Sequence, residues 1–239
     1  HTDMECVIAA HPYDSAAQAV MHVLRDHFRV DVILMHPEWL GQTLWMHSID
    51  RTGTARSKLT LPDRTTLSCE KIGFLWNRCT LIPLPQFRES SPADRNYAGC
   101  EILAAFKSFL AGLKERVEPQ VTCERCHWSP PSQLELETKA AMCGLKYKAT
   151  SELAGTPSIL VTPTRLVHNT PLHLPVAADG MLRRFANLLG FNFLRLYVEP
   201  GSHTLHILAV DPVPVYMTAA EITAIAGDIA LALTAAANR

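Results

Sequence analysis

The sequence is poor in glycine and contains no glycine-rich phosphate loop. Only 11 of its 239 residues are glycine, and neither G-x-G-x-x-G, the Walker A pattern nor G-x-S-x-G occurs. The first two patterns place backbone amides around the phosphates of a bound nucleotide. Their absence argues against nucleotide binding of the Rossmann or P-loop kind.

An excess of charge of either sign is also missing. Lys and Arg number 22 and Asp and Glu number 23, so the formal net charge is −1. A protein that holds DNA or RNA mainly by electrostatic attraction needs a basic surface, and we therefore expect no nucleic-acid partner. Charged residues make up 19% and hydrophobic residues 48% of the chain, a balance typical of an ordered protein.

Segments that would take the chain into or across a membrane are lacking as well. No uninterrupted apolar run reaches the length that crosses a bilayer. The first residues lack the basic, apolar and small-residue regions of a signal peptide. These absences predict a cytoplasmic protein with no membrane partner, in which the seven cysteines are reduced.

The start of the chain has the pattern of a strand, a helix and a second strand. The apolar runs Cys6–Ala10 and Val30–Met35 predict the two strands. Between them, Asp14 is placed to cap a helix whose apolar residues recur at helical spacing. A strand, helix and strand of this length form a βαβ unit with parallel strands. The pattern therefore predicts an α/β fold.

Turn and cap signals outline the middle of the chain. Pro62–Asp63–Arg64 predicts the turn of a hairpin, and Ile72–Trp76 predicts another strand. Ser91 followed by Pro92 predicts the start of a long helix. A shorter helix is predicted over Pro131–Met142.

The last third of the chain begins with an irregular segment, 151–175, which contains four prolines. It also contains two short β-prone pieces, Ile159–Val161 and Arg165–His168, and it is the best candidate for a linker or an eroded small subdomain. A helix, and then a hairpin formed by Phe193–Val198 and Leu205–Val210, are predicted after it. Thr218 and Glu221 have the spacing of a capping box, which predicts a C-terminal helix.

Residues 123–127 have the pattern C-x-x-C-H, which occurs where haem c is attached. That attachment takes place outside the cytoplasm, so haem fits this chain poorly. Zinc is a second interpretation, with the two cysteines and the histidine as ligands and Cys100 or Cys143 as the fourth; structural zinc sites, however, usually contain two C-x-x-C pairs. We favour a turn without a ligand, and expect neither metal nor cofactor.

Four segments follow one another in a recognisable order. Residues 76–80 are similar to W-x-R-R-P, and Lys139 precedes residues 144–150, which are similar to G-L-x-x-P-x-T. Residues 189–197 and 209–212 are similar to L-G-x-x-F-x-x-x-D and E-x-N-P. In this order the segments resemble the motifs of ATP-grasp ligases, and in particular those of the peptide ligases of microviridin (graspetide) biosynthesis.

The resemblance covers most of the chain and implies its domain organisation. Residues 1–125 are expected to form a pre-ATP-grasp parallel-sheet domain. Residues 126–239 are expected to form a truncated ATP-grasp-like α+β region. The family has a β-rich lid, with a lysine that clamps ATP, between the G-L-x-x-P-x-T segment and the helix that ends in L-G. Here only residues 151–174 occupy that interval, so the resemblance implies that most of the lid is missing.

The family's magnesium ligands are the Asp of the third motif and the Glu and Asn of the fourth. The aligned residues are Tyr197, Ala209 and Asp211, which alternation along two strands places on one face. Because Mg²⁺ requires oxygen ligands in near-octahedral geometry, a site that has lost two carboxylates is degenerate. The resemblance therefore implies a pseudoenzyme without a nucleotide or metal cofactor.

The family's peptide ligases recognise a ribosomal precursor peptide through its leader. Truncated ATP-grasp-like proteins of crocagin-type pathways look similar to this chain and bind peptides. The resemblance thus implies non-catalytic capture of a precursor peptide and its presentation to modifying enzymes. Arginines pair well with peptide carboxylates and aromatic residues serve as anchors, and the candidate contacts are Trp76, Arg78, Arg165, Arg183, Arg184 and Tyr216.

Two other functions stay open at this point. The chain could be an ATP-dependent peptide-modifying enzyme completed by a lid from a partner chain, or one that uses Asp211, Glu199 and a nearby histidine as acid and base. It could also be a purely structural subunit. Loss of a lid exposes apolar surface that a second copy can cover, so we expect a homodimer, formed partly through Ile159–Leu174.

Overall fold

A computed structural model describes residues 4–49, 51, 55–121, 131–200 and 204–238. Contacts between Cα atoms divide the chain into two units. Unit 1 contains His1–Ser129 and Ile229–Arg239, and unit 2 contains Pro130–Asp228. The expected boundary between residues 125 and 126 lies outside the described residues and stays a prediction, but the C-terminal residues group with unit 1 rather than with unit 2.

The described residues contain short strands and five α-helices. The strands are β1 Glu5–Ala9, β2 Val32–Met35, β3 Leu44–Ile49, β4 Ala55–Thr60, β5 Thr66–Ser68, β6 Ile72–Asn77, β7 Val117–Glu118, β8 Lys146–Tyr147, β9 Ser158–Val161, β10 Leu166–His168, β11 Leu194–Pro200 and β12 Leu205–Asp211. The helices are α1 Ser15–Asp26, α2 Pro92–Leu113, α3 Gln133–Met142, α4 Ala178–Leu189 and α5 Ala219–Ala237. Short 3₁₀ helices cover Pro37–Gln42, Pro85–Phe87 and Lys114–Arg116.

Unit 1 is built on a parallel sheet with the strand order β2-β1-β6-β7. The predicted βαβ unit is confirmed, because β1 and β2 pair in parallel and α1 connects them. β1 and β6 are the central strands, and an inner strand of a parallel sheet is covered on both faces. This is why both strands consist of nearly continuous apolar residues rather than alternating ones.

Helix α1 begins where Asp14 predicts. The carboxylate of Asp14 accepts a hydrogen bond from the Ala17 amide at 3.0 Å and thereby satisfies one of the free amides of the first turn. The buried face contains Val20 and Leu24, four residues apart, as the helical spacing requires. The helix ends at Asp26.

A three-stranded antiparallel sheet with the order β3-β4-β5 completes unit 1. The predicted hairpin turn at Pro62–Asp63–Arg64 is confirmed between β4 and β5. Helix α2 begins after Ser91, whose hydroxyl accepts a hydrogen bond from the Asp94 amide at 3.1 Å. The core of unit 1 joins residues of both sheets to the buried face of α2, namely Val7, Leu59, Leu67, Ile72, Leu75, Phe106, Phe109, Leu110 and Leu113.

Unit 2 contains a five-stranded sheet with the order β10-β9-β11-β12-β8. The predicted hairpin of the last third is β11 paired with β12. Segment 151–174 supplies β9 and β10, and all four residues of β9 are buried. The interpretation of this segment as a linker is therefore wrong. Its prolines lie outside the two strands, where the loss of a backbone donor does not interrupt the sheet.

Helices α3 and α4 cover one face of this sheet, and their residues form the core of unit 2 with Ile159, Leu194, Leu196 and Ile207. Ser132 caps α3 by accepting a hydrogen bond from the Glu135 amide at 3.2 Å. Gly190 follows α4 with φ of 77°. This left-handed conformation ends a helix at little cost only in glycine.

Helix α5 has 19 residues and is apolar enough to cross a membrane by length and composition alone. Glu221 and Asp228 interrupt its apolar sequence, so no apolar run within it is as long as the helix itself. Both carboxylates are buried, and Asp228 accepts a hydrogen bond from the Thr164 hydroxyl at 2.5 Å. Buried and paired carboxylates are typical of a helix packed against its own protein.

Candidate functional site

The aligned metal positions lie on one face of the unit 2 sheet. Tyr197 pairs directly with Ala209, and Arg195 pairs directly with Asp211, across β11 and β12. Residues directly opposite each other, and residues two apart on one strand, share a face. The register thus confirms that Tyr197, Ala209 and Asp211 share a face, and it adds Arg195 to them. The apolar side chains of β9, β11 and β12 line the opposite face, towards α3 and α4.

Arg195 is bound to Glu221 of α5 in a two-pronged ion pair. The guanidinium Nε and Nη2 donate to Glu221 Oε1 at 3.2 and 2.9 Å, and Nη2 also donates to Oε2 at 2.9 Å. The side chains are only 9% and 2% exposed. A buried ion pair needs good geometry and further hydrogen bonds to offset its loss of hydration, and the next contacts of Glu221 supply them.

Glu221 is also the carboxylate of the predicted capping box. Its Oε2 accepts from the Thr218 amide at 2.8 Å and from the Thr218 hydroxyl at 3.1 Å. In return, the Glu221 amide donates to the Thr218 hydroxyl at 3.3 Å. One carboxylate therefore both begins α5 and neutralises Arg195, which joins the first turn of the helix to β11.

A cleft of about 480 Å³ opens beside this ion pair. Its floor includes Ser158 and Tyr197, which pair directly across β9 and β11. The side-chain amide of Asn169 holds one wall, since its Oδ1 accepts from the Ser158 amide at 2.6 Å. The remaining walls are Leu153, Gly155, Thr156, Thr170, Tyr216, Met217 and Thr218. The lining combines hydroxyl and amide groups with the apolar side chains of Leu153 and Met217, and its one pair of charges is already compensated.

The residues at the aligned positions do not fit a magnesium ion. Tyr197 and Ala209 provide no carboxylate, and Asp211 accepts a hydrogen bond from the Val213 amide at 3.2 Å. The nearby Glu221 carboxylate is already bound to the Arg195 guanidinium, so it does not serve as a metal ligand. Within the residues that the structure describes, no three His, Cys, Asp or Glu side chains come together as a metal site. Residues 123–127 lie outside the described residues.

Trp76 and Arg78 are internal residues rather than surface contacts. They are 3% and 4% exposed, and the guanidinium lies 4.7 Å from the ring centroid. Arg78 also forms two hydrogen bonds to the Asp14 carboxylate, at 2.7 and 3.0 Å. Their expected role in peptide contact is therefore not supported, because a peptide cannot reach side chains that the core encloses.

The two arginines of α4 have different surroundings. Arg183 donates to both oxygens of Asp179 and to the backbone carbonyls of Thr162 and Pro163, the latter at 2.6 and 2.7 Å. It connects α4 to the loop after β9 and has little capacity left for a peptide. Arg184 is exposed. The sequence cannot separate the two, because only the fold decides which of them faces the loop.

Arg165 and Tyr216 both remain accessible but lie beside different cavities. Arg165 is exposed and lines a hollow of about 600 Å³ that also contains His168 and His173. Tyr216 is 84% exposed and stands at the rim of the cleft beside Arg195. Arg183 lines the same hollow as Arg165, so the structure brings these two predicted contacts together but leaves Tyr216 at a separate cleft.

The carboxylate and histidine of the acid–base alternative meet on the β11–β12 hairpin. His206 pairs with Glu199 across the two strands, and its Nδ1 lies 3.5 Å from Glu199 Oε2. Glu199 is about half exposed. Asp211 lies at the other end of β12, so the three groups proposed for that chemistry do not form one cluster.

Comparison with solved structures identifies the fold. The macrocyclase MdnC of Microcystis aeruginosa MRC, bound with the precursor peptide MdnA, superposes with a TM-score of 0.71 at 12% identity over 97% of this chain and 100% of that one. A RiPP-associated ATP-grasp ligase of Chryseobacterium gregarium, in complex with ADP and a leader and core peptide, gives 0.70 at 12% identity over 97% of both chains. This is the fold of RiPP-associated ATP-grasp ligases.

The macrocyclase MdnB of Microcystis aeruginosa MRC also has this ATP-grasp fold, with a TM-score of 0.67 at 11% identity over 95% of this chain and 99% of that one. No family model matches the sequence, and no curated protein matches it. The expected fold class, a parallel-sheet unit followed by an ATP-grasp-like unit, is confirmed. At this identity the likeness extends to the fold alone.

Arg195 was not identified from the sequence, although it shares a face with Tyr197, Ala209 and Asp211 and forms the buried ion pair with Glu221. Glu221 was assigned to the capping box, which is correct, but its second partner lies 26 positions away. One signal was present: Arg195 stands two residues before Tyr197 on the same predicted strand, and so on the same face. A buried arginine needs an acidic partner to compensate its charge. A search for that partner would have led to Glu221.

Proposed function

We propose that the chain binds a ribosomal precursor peptide without ligating it, and presents the peptide to modifying enzymes. Peptide binding is supported by the shared fold of ligases that were solved with precursor, leader and core peptides. The absence of ligation is supported by the residues of the chain itself. A cytoplasmic location and the lack of nucleic-acid or membrane partners belong to the same proposal.

The main support for the absence of catalysis is the Arg195–Glu221 ion pair, because Arg195 lies on the same sheet face as the aligned metal positions. Phosphoryl transfer depends on metal ions to neutralise the charge that develops on the phosphates. Here Tyr197 and Ala209 cannot bind a metal through carboxylates, and an arginine bound to its own acid stands beside them. ATP and Mg²⁺ would thus meet a cleft without net charge and without a set of carboxylate ligands for the metal.

The second support is the small size of the segment between the motif at residues 144–150 and the motif at residues 189–197. Residues 151–174 contain one strand of four residues and one of three, and both belong to the main sheet of unit 2. They leave no separate layer to close over a nucleotide. Exclusion of water from the reacting phosphates requires such a layer.

The peptide-contact set is narrower than the sequence predicts. Arg165, Arg184 and Tyr216 stay in it, since each is exposed. Trp76 and Arg78 leave it because they are buried, and Arg183 leaves it because its guanidinium is already bound to Asp179 and to two backbone carbonyls. We also propose a homodimer. Within its expected interface, Ile159–Val161 are buried inside the sheet, and β10, an edge strand, is the part that a second copy can reach.

Calorimetric titration of the purified chain tests this function. The expected result is no heat with millimolar Mg-ATP and micromolar binding of a precursor peptide encoded next to the gene. Arg184→Ala should weaken peptide binding several-fold, while Leu231→Ala, at an exposed position of α5, should leave it unchanged. Micromolar binding of Mg-ATP would overturn the proposal in favour of a ligase completed by a partner chain.

Oligomeric state needs a separate measurement. Multi-angle light scattering at micromolar concentration should give about 53 kDa, twice the 26.5 kDa of one chain. A monomeric mass would contradict the homodimer. Association with a modifying enzyme but with no peptide would indicate a purely structural subunit.

A further inference from the structure

Among the residues that the structure describes, no further strand pairs with the outer edge of strand β3. It is the outer strand of the β3-β4-β5 sheet, and its six residues make it the longest edge strand among the described parts of the chain. The other edges are β2, with four residues, β5 and β10, with three each, and β7 and β8, with two each. Proteins usually shorten an edge or place Pro or Lys on it to prevent further pairing. β3 contains neither.

The solvent face of β3 is apolar. Leu44 is 74% exposed and Met46 is 64% exposed, and the two residues are neighbours on that face because they are two apart. Residues of the next strand continue the face: Lys58 pairs directly with Met46, and Arg56 pairs directly with Ser48. An apolar stripe along the edge is thus bordered by two cations.

The inner face holds the strand rigidly. The indole of Trp45 donates to the Leu40 carbonyl at 3.3 Å, and its ring packs edge-on against Phe109 with a centroid distance of 6.4 Å. His47 Nδ1 lies 2.5 Å from the Ser57 hydroxyl. An incoming strand would therefore meet an edge that is already ordered, which reduces the entropy lost on pairing.

We propose that β3 is a docking edge for an extended peptide segment in which acidic and apolar residues alternate, added as a fourth strand to the sheet. The backbone of the segment pairs with β3, in the mode known as β-augmentation. Because successive residues of a strand point to opposite faces, its acidic residues lie on the solvent face, with their methylene groups beside Leu44 and Met46 and their carboxylates directed at Lys58 and Arg56. This inference rests on the proposed peptide-binding function. It adds where the peptide binds and what type of peptide sequence is recognised.

Charge favours a peptide over a second copy of the chain. Pairing two β3 edges about a twofold axis would bring two copies of Lys58 and Arg56 towards each other. Arg56 has one acidic neighbour, Glu70, at 3.5 Å on the exposed surface, and such a pair is screened by solvent. The edge is therefore more complementary to acidic side chains than to itself.

The probe is a fluorescent hexapeptide in which glutamate alternates with valine. Fluorescence anisotropy should show saturable binding, and replacing its glutamates with lysine should weaken binding at least tenfold. Two further probes carry N-methyl groups on the odd or on the even residues. One methylated series should lose binding and the other should keep it, because only one edge of the peptide faces β3. Equal affinity of the two series would overturn strand addition.

Substitutions in the protein test whether the probe binds at β3. Met46→Glu and Lys58→Glu should each weaken binding of the glutamate probe at least tenfold. The matched controls Met142→Glu and Lys146→Glu alter an exposed methionine and an exposed lysine of unit 2 and should change it less than twofold. Loss of a dimer in Met46→Glu, without a change in probe affinity, would assign this edge to a second copy and overturn the proposal.

A competition experiment separates this inference from the proposed function. The hexapeptide should displace the precursor peptide from the chain. If the precursor binds but neither the hexapeptide nor Met46→Glu affects it, the edge is not the site and the proposed function stands. If the hexapeptide binds β3 and no precursor binds, the proposed function fails and the docking edge stands.

Discussion

Arg195 and Glu221 form a buried ion pair on the face where ATP-grasp ligases, by resemblance, hold magnesium. Three donor contacts of 2.9 to 3.2 Å join the two side chains. The pair brings its own positive charge and its own compensating acid. This face therefore already holds a balanced pair of charges, and its buried acid is engaged by the arginine rather than by a metal.

Loss of the acid should be costly. Glu221→Gln keeps the shape and much of the helix cap but leaves the Arg195 guanidinium buried without a counter-charge, so we expect a loss of about 3–5 kcal/mol in the free energy of unfolding. Urea denaturation measures it. The control is Asp228→Asn, a second buried carboxylate of α5 whose hydrogen-bond donor is the neutral Thr164 hydroxyl, with an expected loss of about 1 kcal/mol. Equal losses would contradict the special role of the ion pair.

A metal site should be recoverable by substitution. Tyr197 and Ala209 pair directly, so Tyr197→Asp combined with Ala209→Glu places two carboxylates opposite each other and on the face of Asp211. We expect this double variant to bind Mn²⁺ with millimolar affinity or better, measured by electron paramagnetic resonance, while the parent chain does not. Tyr197→Asn with Ala209→Gln is the uncharged control. Tight Mn²⁺ binding by the parent chain, abolished by Asp211→Asn, would reveal a working metal site.

Asp14 has two roles that different substitutions separate. It caps α1 through the Ala17 amide and pairs with Arg78, whose side chain is 1% exposed. Asp14→Ser keeps a capping oxygen and removes the ion pair, whereas Asp14→Ala removes both. We expect thermal unfolding to place Asp14→Ala about 1 kcal/mol below Asp14→Ser, the usual value of a cap. If Asp14→Ser unfolds like the parent chain, the ion pair contributes nothing.

Unit 1 should lose stability in mild acid through His36. Burial lowers the pKa of His36 from its usual 6.5, with Glu38 opposing the shift. The folded state then favours the neutral ring, and the unfolded state binds more protons below pH 6.5, so this contribution is complete above that pH and is lost as the pH falls through the lowered pKa. His36→Gln should flatten the decline between pH 7 and pH 5 in urea titrations. His22→Gln, at an exposed position of α1, should leave it unchanged.

Local signals predicted most of the elements. The cap at Asp14, the turn at Pro62–Asp63–Arg64 and the capping box at Thr218 each involve residues within a few positions of one another, so their chemistry is visible in the sequence. Hydrophobic spacing likewise indicated which face of α1 is buried. In segment 151–175 the β-prone pieces are confirmed as β9 and β10, but their place in the main sheet is not visible in the sequence, because it depends on the pairing of β9 with β10 and with the distant β11.

The sequence by itself determined that the aligned magnesium positions lack two carboxylates, because that is a matter of residue identity, and that they share one face, because strands alternate. It did not determine which charged and aromatic residues are accessible. Trp76 is enclosed, Arg183 is bound to two carbonyls, and Arg195 is bound to Glu221. Only the tertiary structure decided these, because each partner is distant in the chain and burial depends on how the elements pack.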